Sequence, residues 1–200
     1  LCSKINKAEW LWNILAQAPE PRKRKQEDLR NRNEPILRTS CFFEKEIKSV
    51  EHQLRWIDVL YYARYSNPDP YRRVDKTEEE WKEQLTPAQF HILREKGTER
   101  AFRNTYCRSF EPGVYVCAAC RNPLFDSDAK SHKLSGWPAF NQPVARGAMK
   151  YAYDNSHNMV RIEVLCNVCD AHLGHVFPAG PQRAGLRYCI NSESLNRTDR

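Results

Sequence analysis

The sequence predicts an α+β chain: a small, mainly β domain of antiparallel strands with short helices in front of it, closed around a four-cysteine metal site. Three observations predict it. Two capped helical segments lie between Asp75 and Gly97, short alternating strands separated by turn residues follow Gly97, and two Cys-x-x-Cys pairs each end an apolar strand.

Residues 1–20 carry a short helical pattern around Trp10, Trp12, Ile14 and Leu15, ended by Pro19 and Pro21, and the run Arg22-Lys-Arg-Lys25 opens a polar stretch that reads as a solvated linker. Phe43, Ile47, Val50, Leu54, Ile57 and Tyr61 then recur at alternating steps of four and three. That a/d spacing predicts a helix over about 41–65 with one narrow apolar stripe, too short for a coiled coil and suited to packing on the main domain or a partner. Asn67-Pro68-Asp69-Pro70 breaks the chain. The break divides a basic, partly helical extension of no assignable role, residues 1–74, from a main domain, residues 75–200.

In the main domain Thr77 and Glu80 form a capping box for a short helix through Trp81 and Leu85. Thr86, Pro87 and Gln89 start another, which carries Phe90, Ile92 and Leu93 and is expected to stop at Gly97. Strands follow at Val114–Val116, at Val160–Leu165 with Val160, Ile162 and Val164 alternating against Arg161 and Glu163, at Val176–Phe177, and at Tyr188–Ile190. Pro112-Gly113, Asp154-Asn155 and Ala179-Gly-Pro181 supply turns between them.

Two hundred residues bury a core without disulfide staples, and no apolar run approaches a membrane span, so no membrane partner is expected. The net charge of +7 lies mostly in the extension: residues 1–74 hold 15 Lys/Arg against 10 Asp/Glu, and residues 75–200 hold 17 against 15. A near-neutral main domain argues against nucleic acid as a partner, and a monomer is expected. Eight cysteines, four of them in two Cys-x-x-Cys pairs, point to a reducing compartment, and no signal-peptide pattern is visible in a chain that begins at Leu1. Acidic residues throughout the extension disfavour a mitochondrial presequence, leaving the cytoplasm as the expectation and mitochondria as the alternative.

Cys117-Ala-Ala-Cys120 and Cys166-Asn-Val-Cys169 repeat one strand-and-knuckle unit. Facing each other, they offer four thiolates in a closed tetrahedral set, the donor chemistry of one structural Zn2+. A redox dithiol or a pair of disulfides would each leave part of the pattern unexplained. The remaining cysteines are Cys2, Cys41, Cys107 and Cys189.

Of these, Cys189 shares a strand face with Arg187 and Asn191 and follows His172 and His175. A thiol reacts as its thiolate, which a neighbouring guanidinium or imidazole favours. The two histidines are three residues apart, a spacing that sends them to opposite faces of a regular strand; Gly174 between them suits a bulge that re-aims one. The residues alone leave open a second reading, Cys189 as a small core residue with hydrogen-bonded histidines around it. Ser135-Gly-Trp137-Pro-Ala-Phe140 adds aromatic surface on a tight turn, either a grip for a small apolar group or a core anchor. A non-catalytic zinc-knuckle binding module is the alternative for the whole domain, although Ala118, Ala119, Asn167 and Val168 in the knuckles offer it little charge.

Taken in order, Cys-x-x-Cys, Ser-Gly-Trp-Pro-Ala-Phe, Cys-x-x-Cys, His-Leu-Gly-His-Val-Phe and Arg-Tyr-Cys-Ile-Asn-Ser resemble the B-type methionine sulfoxide reductases over residues 75–200. The resemblance implies two antiparallel sheets with short N-terminal helices, structural zinc on Cys117, Cys120, Cys166 and Cys169, and reduction of methionine-R-sulfoxide in peptides and proteins. It implies Cys189 as nucleophile, Trp137 with Phe140 on the substrate methyl group, His172 and His175 on the sulfoxide oxygen, and Arg187 and Asn191 beside the thiolate. A cysteine sulfenic acid would form and be recycled by thioredoxin or another thiol. Many members of that family carry a resolving cysteine before the Gly-Trp pair; this chain has Ser135, which makes Cys107 the candidate resolving thiol.

Overall fold

The computed structural model describes residues 53–132, 135–179 and 185–199. The pattern around Trp10, the basic run at 22–25, Cys2, Cys41, the first half of the 41–65 stripe and the Gly180-Pro181 turn lie outside the described residues. Among those described, three helices, α1 (Trp56–Arg64), α2 (Glu78–Gln84) and α3 (Pro87–Leu93), precede eight strands. These are β1 (Val114–Cys117), β2 (Pro123–Asp126), β3 (Ala139–Phe140), β4 (Met149–Asp154), β5 (Arg161–Cys166), β6 (His172–Ala179), β7 (Gly185–Ile190) and β8 (Leu195–Thr198). They form two antiparallel sheets, one of three strands in the order β2-β1-β8 and one of five in the order β3-β7-β6-β5-β4.

The local signals for α2 and α3 act as their chemistry requires. Thr77 Oγ1 accepts from the Glu80 N–H while Glu80 Oε2 accepts from the Thr77 N–H, and Thr86 and Gln89 repeat the exchange ahead of Pro87. Helix α3 ends at Leu93, earlier than Gly97, and the left-handed residue of its exit is Lys96 (φ 58°). Gly97 closes the turn instead, donating its N–H to His91 O at 2.9 Å in a position where a Cβ would stand 2.4 Å from the His91 ring.

Helix α1 begins later and turns a different face inward than the a/d stripe predicts. Leu54 is buried but lies before the helix, its backbone N–H and C=O both taken by the Gln142 amide at 3.1 and 3.0 Å. With Leu54 pinned there, Val59 and Leu60 face the domain, Tyr62 stacks on Tyr151 at 6.1 Å, and Ile57 and Tyr61 are exposed. After the proline break the chain stays on the same sheet: Asn67 exchanges two hydrogen bonds with the Tyr151 backbone, and the Val74 N–H donates to Val168 O.

Rings from both sheets make the core. Phe125 of β2 stacks on Phe140 of β3 with centroids 4.1 Å apart, Tyr115 of β1 meets Phe140 edge-on at 5.1 Å, and Tyr188 of β7 meets Phe125 at 5.4 Å. Tyr151 and Tyr188, both buried, satisfy each other's hydroxyl at 2.8 Å. Tyr151→Phe therefore leaves the Tyr188 hydroxyl buried without a partner, an expected loss of about 1–3 kcal/mol in urea unfolding, and the double variant with Tyr188→Phe should lose less than the single one.

Candidate active site and metal centre

The two knuckles are one turn built twice. Cys117 N–H donates to Asn122 O and Arg121 N–H to Cys117 O; Cys166 N–H donates to Ala171 O and Asp170 N–H to Cys166 O, and Arg121 and Asp170 both take positive φ. This presents Cys117, Cys120, Cys166 and Cys169 from the ends of β1 and β5 as four buried sulfurs within 4.8 Å of one another. The Cys117–Cys169 and Cys120–Cys166 sulfurs are 3.8 and 3.5 Å apart. A tetrahedron with metal–sulfur bonds of about 2.3 Å has sulfur–sulfur edges of about 3.8 Å, so the cluster has the dimensions of a four-thiolate metal site. As bare thiols the four compete for protons: hydrogen bonds led by that to Cys120 push Cys117 well above its ordinary value, while those led by Cys117 hold Cys166 far below it.

Around 250 Å³ of open cleft lies on one face of the five-stranded sheet, lined by Cys189, His175, Trp137, Phe177, Arg187 and Arg161 among others. Strand register places these side chains. Cys189 of β7, His175 of β6 and Glu163 of β5 are successive cross-strand partners in one row; beyond it Arg187 pairs with Phe177, and Arg161 with Asp154. A bulge in β6 brings His172 to the same face, because Val164 pairs with Gly174 and Leu165 with His172, leaving Leu173 as the extra residue. The histidine rings are consequently 5.6 Å apart. Asn191 N–H, Asn191 Nδ2 and Ser194 Oγ all donate to the Leu173 carbonyl that the bulge frees.

Cys189 is half-buried, and its sulfur lies 3.9 Å from Ser135 Oγ. Burial pushes its thiol above the ordinary value, against the pull of the Ser135 hydrogen bond and the Arg187 charge. The depressed thiol that the sequence suggests is thus not the resting state: Arg187 acts in the expected direction but is itself exposed, held over the Phe177 ring at 5.8 Å, and burial outweighs it.

His175 Nε2 donates to Asp154 Oδ2 at 2.7 Å, and Arg161 Nη2 donates to the same oxygen at 2.7 Å. Burial favours a protonated Asp154, but hydrogen bonds from Ser156 and His175 and the Arg161 charge outweigh it and keep the carboxylate ionised. Burial lowers His175 below the ordinary histidine value despite Asp154. A neutral ring with Nε2–H committed to a carboxylate has a bare Nδ1. His172, 3% exposed, donates Nδ1–H to Glu163 Oε1 at 2.8 Å.

One sequence expectation needs correction. Phe140 is fully buried between Phe125 and Tyr115, paired with Tyr188, so it supports the core rather than lining the cleft. Asn191 borders the cleft, but its amide is occupied: Oδ1 accepts from Glu99 N–H at 3.1 Å and Nδ2 donates to Leu173 O at 3.1 Å. Trp137 Nε1 donates to Glu99 O at 3.2 Å, so Asn191 and Trp137 together fasten the Thr98–Glu99 segment at the cleft wall. Cys107, 4% exposed, sits in a turn whose Tyr106 and Ser109 carbonyls accept from the buried Lys130 ammonium. Sequence reading missed Glu163, Asp154 and Arg161. The alternation at 160–165 held the signal for Arg161 and Glu163, but their face reads as solvent until the cleft is seen to lie on it.

Comparison with known proteins agrees with this geometry. The SelR domain model matches residues 85–199. The peptide methionine sulfoxide reductase MsrB of Pseudomonas paraeruginosa is 56% identical over 128 residues, which are 64% of this chain and 97% of that protein. Its namesakes from Agrobacterium fabrum and Leptospira interrogans are each 54% identical, over 62% of this chain and 91% of the first protein, and over 61% of this chain and 93% of the second. With a domain match over more than half of the chain and such identity over nearly the whole of these relatives, this chain belongs to the SelR-domain family of MsrB peptide methionine sulfoxide reductases.

Proposed function

We propose that this protein is a peptide-methionine (R)-S-oxide reductase that works through a Cys189 sulfenic acid and is reset directly by an external thiol, with thioredoxin the expected donor. The observation that carries the reading is the single row in which Cys189 lies beside His175 on the sheet face of a cleft walled by Trp137. Trp137 and Phe177 receive the methyl end of the side chain, and the imidazole side of the cleft receives the oxygen. Fixing both leaves one sulfoxide epimer with its sulfur toward Cys189, which makes the reaction stereospecific.

In the first half-reaction Sγ attacks the sulfoxide and takes its oxygen, so that the thiol sulfur is oxidised by two electrons and the sulfoxide sulfur reduced by two. Methionine leaves and Cys189 remains as a sulfenic acid. Because burial keeps the thiol protonated, its proton has to be moved inside the cleft. The bare Nδ1 of His175 takes it, with Asp154 stabilising the imidazolium, and returns it to the sulfoxide oxygen. Two external thiols then return Cys189 to the thiol, releasing water and their disulfide. Direct recycling suits a cleft in which the group beside the sulfur is the Ser135 hydroxyl and Cys107 is buried in its own turn.

Zinc on Cys117, Cys120, Cys166 and Cys169 would neutralise crowded thiolates and cross-link β1 to β5, with no open position for substrate. Its thiolates, and a sulfenic acid that thiols must reset, suit a reducing compartment, the cytoplasm in the first instance.

Pre-reduced protein mixed with separate R and S sulfoxides of a blocked methionine should turn over R alone and lose one thiol per turnover before reductant is added. Ser135→Cys should raise that loss to two, and Cys189→Ser should abolish turnover while keeping metal; turnover of neither epimer by metal-loaded protein would overturn the reading. Cys166→Ser should lose zinc by elemental analysis and drop the melting temperature, whereas Cys107→Ser should retain both. Since Arg187 pulls the thiol pKa down against burial, Arg187→Met should slow iodoacetamide alkylation of Cys189 at neutral pH and move its pH midpoint upward; an unchanged midpoint would remove Arg187 from the thiol's environment.

A further inference from the structure

Behind the cleft lies a second ionic line that the reaction as written does not use. Glu163, 4% exposed, is the cross-strand partner of His175 and receives two donors: His172 Nδ1–H at 2.8 Å on Oε1 and the Lys96 ammonium at 2.9 Å on Oε2. The other ring nitrogen of His172, Nε2, is buried with no hydrogen-bond partner. Burying a carboxylate and leaving a buried ring nitrogen unpaired both cost stability. An all-apolar arrangement would avoid both.

We propose that Glu163 is a positioning residue of the sulfoxide site: it fixes His172 in the Nδ1–H form, so that Nε2 is held bare on the face of the sheet that carries His175 and Cys189, and Lys96 keeps Glu163 charged for that purpose. This rests on the sulfoxide-reductase reading. The argument is one of exclusion by partners. A free imidazole distributes its proton between its nitrogens, and the hydrogen bond made by one nitrogen decides the state of the other. An ionised Glu163 accepts and never donates, so the proton must sit on Nδ1. Burial opposes the Glu163 charge, but the His172 and Lys96 hydrogen bonds outweigh it and hold the carboxyl below its ordinary value. Lys96 reaches in from outside, with 62% of its side chain exposed, and its left-handed backbone after α3 aims it at the sheet.

His172 and His175 thus form two imidazole–carboxylate–cation lines of opposite sense: Lys96–Glu163 holds His172 by Nδ1, and Arg161–Asp154 holds His175 by Nε2. Each ring is left with one bare nitrogen, and the two ring centres are 5.6 Å apart.

The test uses the whole metal-loaded protein. Nitrogen-15 spectra of labelled, substrate-free wild type should show His172 with a protonated Nδ1 and a bare Nε2. Glu163→Gln, which keeps shape but loses charge, should displace that proton from Nδ1 in part or whole and lower kcat for the R sulfoxide about 100-fold with KM little changed, the lower end of what a placed acid–base group contributes. Lys96→Met, at a side chain 62% exposed, should lower kcat in the same direction by less, while Lys96→Arg should keep it near the wild-type value. An Nδ1–H signal unchanged in Glu163→Gln, or a kcat unchanged in both Glu163→Gln and Lys96→Met, would overturn the assignment. Should wild type itself reduce no sulfoxide, the reductase reading fails by that result, while the substrate-free spectra still decide what Glu163 does to His172.

Discussion

The parity of strand β6 is the constraint on which the site depends. Side chains alternate along a strand, so His172 and His175 would face opposite ways and one of them would enter the core. The extra residue Leu173 shifts the count by one and brings both to the cleft face. The shift is feasible because Gly174 follows: its φ of +154° and its approach to β7, where a Cβ would lie 2.2 Å from Cys189 O, exclude any other residue without displacing the Cys189 backbone. The bulge also frees a carbonyl, and Asn191 and Ser194 satisfy it. Asn191 thereby couples the bulge to the Thr98–Glu99 wall through its Oδ1. One inserted residue sets the positions of two histidines, the thiol and the wall opposite.

The four-sulfur cluster plays the equivalent part for the sheets. Cys117 ends β1 of the smaller sheet and Cys166 ends β5 of the larger, so the cluster is where the two sheets are joined at the strand ends. Its knuckles expose carbonyls that a β domain alone would leave unpaired. The lead-in segment and helices supply the donors: Arg72 to Cys120 O, Gln84 to Ala119 O, Val74 N–H to Val168 O and Arg94 to Cys169 O. Helix α3 thus serves both centres, since Arg94 fastens its end to a knuckle and Lys96, two residues later, meets Glu163.

How much of this the sequence discloses follows from how local each signal is. Caps at Thr77 and Thr86 and the Cys-x-x-Cys knuckles are contained within a few residues and are legible, as is the order of helices before strands. The bulge at Gly174 is legible too, because two histidines at odd spacing around a glycine have few structural solutions. What failed depends on distant partners. The α1 stripe had the right period but the wrong phase, since Gln142 holds Leu54 outside the helix and the surface of β4 chooses Val59 and Leu60. Phe140 shares a motif with Trp137 yet points to the other side of a two-residue strand, where Phe125 takes it. Arg161 and Glu163 read as a solvent face because alternation cannot distinguish water from a polar cleft. β2, β3 and β8, of four, two and four residues, carry too little periodicity to register alone.

The chemistry of the site follows from burial acting on two groups in opposite senses. Burial raises the Cys189 thiol and lowers His175, so at rest both are neutral. Such a pair holds no standing thiolate, and in the proposed mechanism one event prepares it: transfer of the thiol proton to the imidazole creates the thiolate and the acid together. The product charges are met in place, the thiolate by Arg187 and the Ser135 hydroxyl, the imidazolium by Asp154. A sulfoxide is the substrate that needs both at once, because its sulfur accepts a nucleophile readily only as its oxygen is protonated. A thiolate prepared in advance would gain nucleophilicity but would leave the oxygen without its proton. On the proposed mechanism, selectivity for the sulfoxide over other electrophiles is therefore built into the neutral resting state as much as into the proposed fit of the methyl group on Trp137.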